Sequence, residues 1–280
     1  MIIDFHTHIF SPEVVENRKK FFDDENFQLL YSSEKSKLID HNTLIREMDN
    51  AGVDYAVALG YPWEKEENYE LQNQYFRDVS KLSGGRIFPF GTIPISDERA
   101  IDAHVKRIKE LGLSGIGELG FYSTGFSAGN EKTLVRIFEA ASFNSLPVVL
   151  HVNESVGHEY IGKYETDFKR LYAVLKEFND LTVILAHWGG GILFYELMPE
   201  VKESFENVYY DSAASPYIYD DRIYDVAVRI LGSEKILFGT DYPLINFKKY
   251  LKTVDTVVTN ENDRLNILGL NAMRILNIEK

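Results

Sequence analysis

Cysteine is absent from the 280 residues. Disulfides, thiolate zinc sites and a cysteine nucleophile are therefore excluded, and the redox compartment is left undecided. Positive charge is scarce: 30 Lys and Arg face 43 Asp and Glu, a net charge of −13. Such a chain has no field to draw phosphate backbones or anionic lipid, so neither nucleic acid nor a membrane surface is an expected partner. No apolar run reaches the roughly 18 residues of a spanning helix, and no secretory n-region and h-region precede the first apolar segment, so a cytoplasmic, soluble protein is expected. Low-complexity tracts, Pro- or Ser-rich linkers and repeats are missing as well. With 45% hydrophobic residues the chain can bury a large core, here read as one domain over residues 1–280.

What is present begins at once. "FHTHIF" (5–10) follows Ile2 and Ile3, which with Phe5 read as a short buried strand. His6 and His8 project to the same side of an extended segment, a bidentate start for a divalent transition metal; alone, the pair reads equally well as a polar strand exit. Further strand candidates are 53–60, 86–93, 115–119, 146–151, 181–187, 207–213 and 235–241, which makes eight. Helical patterns lie between them, near 42–51, 68–82, 97–111, 130–144, 167–178, 192–204, 220–231 and 246–259, and a last one, 261–278, closes the chain. In "DERAIDAHVKRIKELG" (97–112), Ala100, Ile101, Val105, Ile108 and Leu111 recur at helical spacing and Gly112 is placed to end the helix.

Near-continuous apolar strands alternating with amphipathic helices predict a parallel sheet covered by helices, and eight such units fit a single-domain (β/α)8 TIM barrel. Residues 9–40, with "ENRKKFFDDENF", are too long for a βα loop and read as an insertion over the barrel mouth. On this plan His6, His8, Glu118, His151, His187 and Asp241 all fall toward strand C-termini, the rim where barrel enzymes keep their catalytic groups.

The segments "DFHTH", "LHVNE", "LAHWGGG", "FGTDYP" and "ILGLNAMRIL" together resemble the metal-dependent amidohydrolase superfamily, in particular the amidohydrolase-related group that includes aminocarboxymuconate semialdehyde decarboxylase. The resemblance spans essentially the whole chain. It implies that His6, His8, His151 and Asp241 are metal ligands, and that His187 is either a ligand or a catalytic and orienting group. Glu118, in "GIGELG", departs from the decarboxylase pattern and resembles the fourth-strand glutamate of two-metal branches, so one ion or two are both open. Zinc is the first candidate, with manganese, iron or cobalt as alternatives. The implied chemistry is hydrolysis of a C–N or C–O bond by metal-bound water, with Asp241 as its base. The same ligand set also serves decarboxylation or hydration of an unsaturated carboxylic acid, and a metal-binding protein without turnover is the third reading.

Two other motifs are set aside. "GIGELG" (115–120) matches Gly-x-Gly-x-x-Gly but lies inside a strand, where no dinucleotide-binding turn can form. "GFSAG" (125–129) matches the nucleophile-elbow pattern, yet Ser127 stands nine positions beyond Glu118 in a loop. Gly189, Gly190 and Gly191 form a tight turn that either brings backbone N–H groups to an anionic substrate or is a plain connection. For the substrate, a small and carboxylated molecule, the rim offers Trp63, Phe121, Tyr122, Trp188 and Tyr242, with Arg18 in the insertion as a carboxylate partner. Oligomeric state is open, with a homo-oligomer compatible.

Overall fold

The computed structural model of the chain describes residues 1–95 and 98–279. Eight parallel strands lie side by side in sequence order: β1 Ile3–Thr7, β2 Tyr55–Leu59, β3 Ile87–Gly91, β4 Gly115–Leu119, β5 Val148–Leu150, β6 Val183–Leu185, β7 Val208–Asp211 and β8 Ile236–Leu237. The seam between β8 and β1 closes through backbone bonds: Phe5 N–H to Phe238 O (2.7 Å), Asp241 N–H to His6 O (2.9 Å) and His8 N–H to Tyr242 O (2.8 Å). The result is the (β/α)8 barrel that the apolar runs predict. Both faces of its strands are buried, which is why those runs are nearly continuous. Val57, Leu59, Val149, Ile184 and Leu237 fill the interior with Ile3 and Phe5. Ala56, Ala58, Val148 and Val183 face the helical layer.

Helix Ile101–Glu110 buries Ile101, Val105 and Ile108 on one side, and Gly112, at φ 72°, makes the left-handed turn that follows. Its expected start, Asp97, lies outside the described residues. Three segments differ from the sequence pattern. The helix expected at 192–204 is a 3-10 turn, His187–Leu197, followed by a short helix, Pro199–Ser204. Gly189, Gly190 and Gly191 all have positive φ, and a Cβ on Gly190 would overlap the Asn153 carbonyl, so the chain bends close over the neighbouring loop before it can spiral. β8 has two residues because the next N–H groups leave the ladder for Ile267 O, Ser212 Oγ and Asp4 Oδ1. The closing helix contains a π turn at Asn266–Leu270, where Gly269 lies against the Met1 carbonyl, and its Ala272 and Met273 seal the bottom of the barrel.

The insertion folds as Pro12–Glu16, Arg18–Phe21 and Glu25–Tyr31. It has its own apolar cluster, in which Phe10, Phe21 and Phe27 pack on Tyr61, Trp63 and Tyr69. That packing sets the segment against the loop after β2, and its Leu30, Tyr31, Lys35, Ser36 and Lys37 line the cavity described below.

Candidate metal centre

Five strands deliver six donor side chains to one point. His6 lies in β1 with His8 just beyond it, Glu118 in β4, and His151, His187 and Asp241 just past β5, β6 and β8. His6 Nε2 and His8 Nε2 are 3.1 Å apart. Asp241 Oδ1 stands 3.7 Å from the first and 3.3 Å from the second. Glu118 joins two groups. Its Oε2 is 3.6 Å from both His6 Nε2 and His8 Nε2, while its Oε1 is 2.8 Å from His151 Nδ1 and 3.3 Å from His187 Nε2. Two groups that could hold a metal ion are thus brought together among the described residues, His6 with His8 and Asp241, and His6 with Glu118 and His187.

The groups behind the donors fix which atoms face inward. His6 Nδ1–H donates to Asp211 Oδ2 at 2.8 Å, which leaves the Nε2 lone pair for the centre. His187 Nδ1–H donates to Ala213 O at 3.1 Å, with the same consequence. Asp211, at the end of β7 and fully buried, also accepts from the backbone N–H of His187 and of Ala213 through Oδ1. His187 and Asp241 hold left-handed backbone, φ 57° and 60°, a conformation that costs residues with a side chain about 1–2 kcal/mol and clusters at functional sites.

The electrostatics ask for a cation. Burial disfavours a charged imidazole, yet the carboxylates of Asp211 and Glu118 overcome it and raise His6 to about 10. Burial likewise opposes charge on His187, and Glu118 raises it to about 9. Asp241, pushed up by burial, is held down at about 2 by the His8 hydrogen bond and the surrounding imidazoles. Buried carboxylates that draw protons onto neighbouring imidazoles will accept a divalent ion in their place, and neutral imidazoles with carboxylates suit zinc, manganese or a similar metal. The donor set fits such an ion.

Above these groups opens a cavity of about 630 Å³. Tyr31, Tyr61 and Tyr122 wall its inner part, and Tyr160, Tyr217 and Leu244 lie farther along its lining. Tyr122 has its hydroxyl 3.3 Å from His151 Nδ1. Burial raises that hydroxyl well above its ordinary value, so it stays protonated and can donate.

Of the residues expected to meet substrate, Tyr122 lies on this wall and five do not. Trp63 is stacked on Phe27 under the insertion, and its indole N–H donates to Gln72. Phe121 is buried against Phe126. Trp188 is fully buried behind the site, donating to Ser215 Oγ at 2.9 Å. Tyr242 turns away to stack on Phe247, leaving Pro243 and Leu244 at the cavity. Arg18 spends its guanidinium on the carbonyls of Tyr31, Ser33 and Ser36. In each case a packing or hydrogen-bond partner within the protein takes the side chain. Sequence reasoning also missed Asp211, although it satisfies the same criterion, a polar residue at a strand's C-terminal end, as well as Tyr31 and Tyr61.

Fold and donor set together define an enzyme of the amidohydrolase type: the chain belongs to the Amidohydrolase family, whose model matches residues 3–278. Among curated proteins it is similar to the 2-amino-3-carboxymuconate-6-semialdehyde decarboxylase of Dictyostelium discoideum, with 24% identity over 336 aligned positions covering 99% of this chain and 92% of that protein. Among solved structures it shares its fold with the 5-carboxyvanillate decarboxylase of Novosphingobium aromaticivorans, crystallised with manganese and 4-hydroxy-3-methoxy-5-nitrobenzoic acid (16% identity, TM-score 0.77, 99% and 96% of the two chains). It also shares it with a probable 2-pyrone-4,6-dicarboxylic acid hydrolase of Acinetobacter baumannii (14% identity, TM-score 0.65, 99% of both). No helix among the described residues is long and apolar enough to cross a membrane.

Proposed function

We propose that the chain is a divalent-metal-dependent decarboxylase of a small, planar carboxylic acid. The observation that carries this reading is the contrast within one cavity, where imidazoles and carboxylates converge at the floor beneath a wall of tyrosines that suits an unsaturated ring. The decarboxylase relative that spans this chain, and the manganese-bound neighbour, support the reaction and put manganese beside zinc as the metal.

His6, His8 and Asp241 would hold one ion, with Glu118, His151 and His187 around it or holding a second. When bound, the metal supplies positive charge that anchors the carboxylate and offsets the charge gathering on the ring. The remaining work falls to the chain itself. Decarboxylation replaces the carboxyl group by a proton, R–CO2⁻ + H⁺ → R–H + CO2, so some group must bring that proton to the carbon as the C–C bond breaks. Asp241 is assigned this role as a relay that takes a proton from solvent and passes it to the carbon, because its carboxylate is ionised at rest and its side chain is 17% exposed whereas that of Glu118 is 4% exposed. Tyr31, Tyr61 and Tyr122 orient the ring and exclude water.

Hydrolysis of a C–N or C–O bond is the second reading, and Glu118 favours it. A carboxylate whose two oxygens face two separate histidine pairs is suited to bridging two ions, a frequent arrangement for hydrolytic chemistry. Carboxyl-labelled aromatic and unsaturated acids, lactones and amides, offered to metal-loaded protein in ¹⁸O-water, separate the two. Labelled CO2 with no ¹⁸O in the organic product supports decarboxylation; ¹⁸O in that product supports hydrolysis and removes the main reading.

A further inference from the structure

The outer wall of the cavity differs in charge from its floor. Outside the donor cluster, the charged side chains that line it among the described residues are Lys35 and Lys37. Glu118 and Asp241 are the carboxylates among the described lining residues, and both belong to the floor. In a chain of net charge −13, a mouth with two lysines and no acid runs against the composition.

The lysines sit on a tied loop. Arg18 Nη1 donates to Ser33 O and Nη2 to Ser36 O, each at 2.9 Å, which clamps the turn that carries Lys35 and leads to Lys37. Ser36 Oγ donates to Leu30 O at 2.9 Å, and Ser33 Oγ accepts from Lys35 N–H at 3.2 Å. On one side of this loop Leu30 reaches Gly162, where a Cβ would lie 2.8 Å from Leu30 Cδ2; on the other Leu38 is buried in the insertion's apolar cluster. Neither ammonium has a carboxylate partner among the described residues. Their charge is left for whatever fills the cavity.

We infer that Lys35 and Lys37 recognise a second anionic group, so that the substrate is a dianion with one carboxylate at the donor cluster and another anionic group at the mouth. Arg18 is then a positioning residue, which holds the loop without touching substrate. The inference rests on the proposed reading that a carboxylate binds at the cluster, and goes beyond it in naming the class of acid. Two exposed cation–anion contacts contribute modestly and are screened by salt, so the effect is a selectivity of about fivefold to tenfold that fades as ionic strength rises.

The test measures binding of benzoate, benzene-1,3-dicarboxylate and benzene-1,4-dicarboxylate to manganese-loaded protein by titration calorimetry. At about 20 mM salt at least one diacid binds about fivefold more tightly than benzoate, and the advantage shrinks toward about 0.5 M. The double variant Lys35→Met, Lys37→Met loses the diacid advantage and keeps its affinity for benzoate. If benzoate binds but no diacid is favoured, or the double variant retains the preference, the lysine assignment is overturned while the carboxylate reading stands. If none of the three binds, or all bind equally well to metal-stripped protein, the carboxylate reading falls and the lysine assignment with it.

Discussion

Replacing Asp211 by asparagine is the most informative single perturbation, because the residue touches no cavity content yet sets the orientation of two donors. Its Oδ2 accepts from His6 Nδ1–H at 2.8 Å, and its Oδ1 accepts from two backbone N–H groups at 2.9 and 3.0 Å. Asparagine cannot satisfy all three. With its amide nitrogen toward His6, donor meets donor, and His6 must move its proton to Nε2, the atom that faces the centre. With the amide reversed, two backbone donors lose their acceptor. A charge-assisted hydrogen bond of this kind contributes about 1.5–3 kcal/mol, which at about 1.4 kcal/mol per decade corresponds to a loss of about 10-fold to 100-fold in metal affinity. Competition between the protein and a chelating dye for Mn²⁺ or Zn²⁺ measures it, with circular dichroism to establish that the fold is kept. A variant that binds metal within twofold of wild type would refute the reasoning about the His6 tautomer.

Three further outcomes are expected. Asp241→Asn retains shape and one ligand oxygen but not the proton carrier, so kcat falls about 10²-fold or more with the fold intact; an unchanged kcat reassigns the role. Elemental analysis of wild type and Glu118→Gln should show about two equivalents of metal falling to one or fewer if Glu118 bridges, and one equivalent in both, with equal affinity, removes it from the donor set. Chelator-treated protein should lose thermal stability as pH rises. His6 and His187 have folded values of about 10 and 9, above the ordinary 6.5, so the stability from their protons is complete below about 6.5 and is lost as pH climbs through 9 to 10. A Tm of stripped protein that stays flat or rises across that interval would contradict the sign.

The barrel was legible because its strands are buried on both faces and its helices on one, so each element carries its own period. The six donors were legible because parallel strands bring like ends together, and polar residues at apolar strand ends stand out. What sequence could not give is the direction of a rim side chain. Trp63 and Trp188 are large, apolar-bodied rings with an N–H to satisfy, and a core partner meets both needs better than an open cavity does. Arg18 had an insertion loop to tie before it could meet a ligand. Lys35 and Lys37 gave no signal in a charged, helix-poor stretch, since only the fold of the insertion brings them over the mouth. The glycine turn after β6 was visible in the sequence, but its effect on the helix at 192–204 depends on the approach to Asn153, a contact between segments far apart in the chain.

Anomalous scattering from crystals grown with Mn²⁺ tests the central claim, that the donors at the cavity floor form one metal centre. A peak is expected about 2.0–2.3 Å from His6 Nε2, His8 Nε2 and Asp241 Oδ1, and a second beside His151 Nδ1 and His187 Nε2 if Glu118 bridges two ions. Strong manganese peaks elsewhere on the protein, with none within ligand distance of His6, His8 and Asp241, would contradict the account.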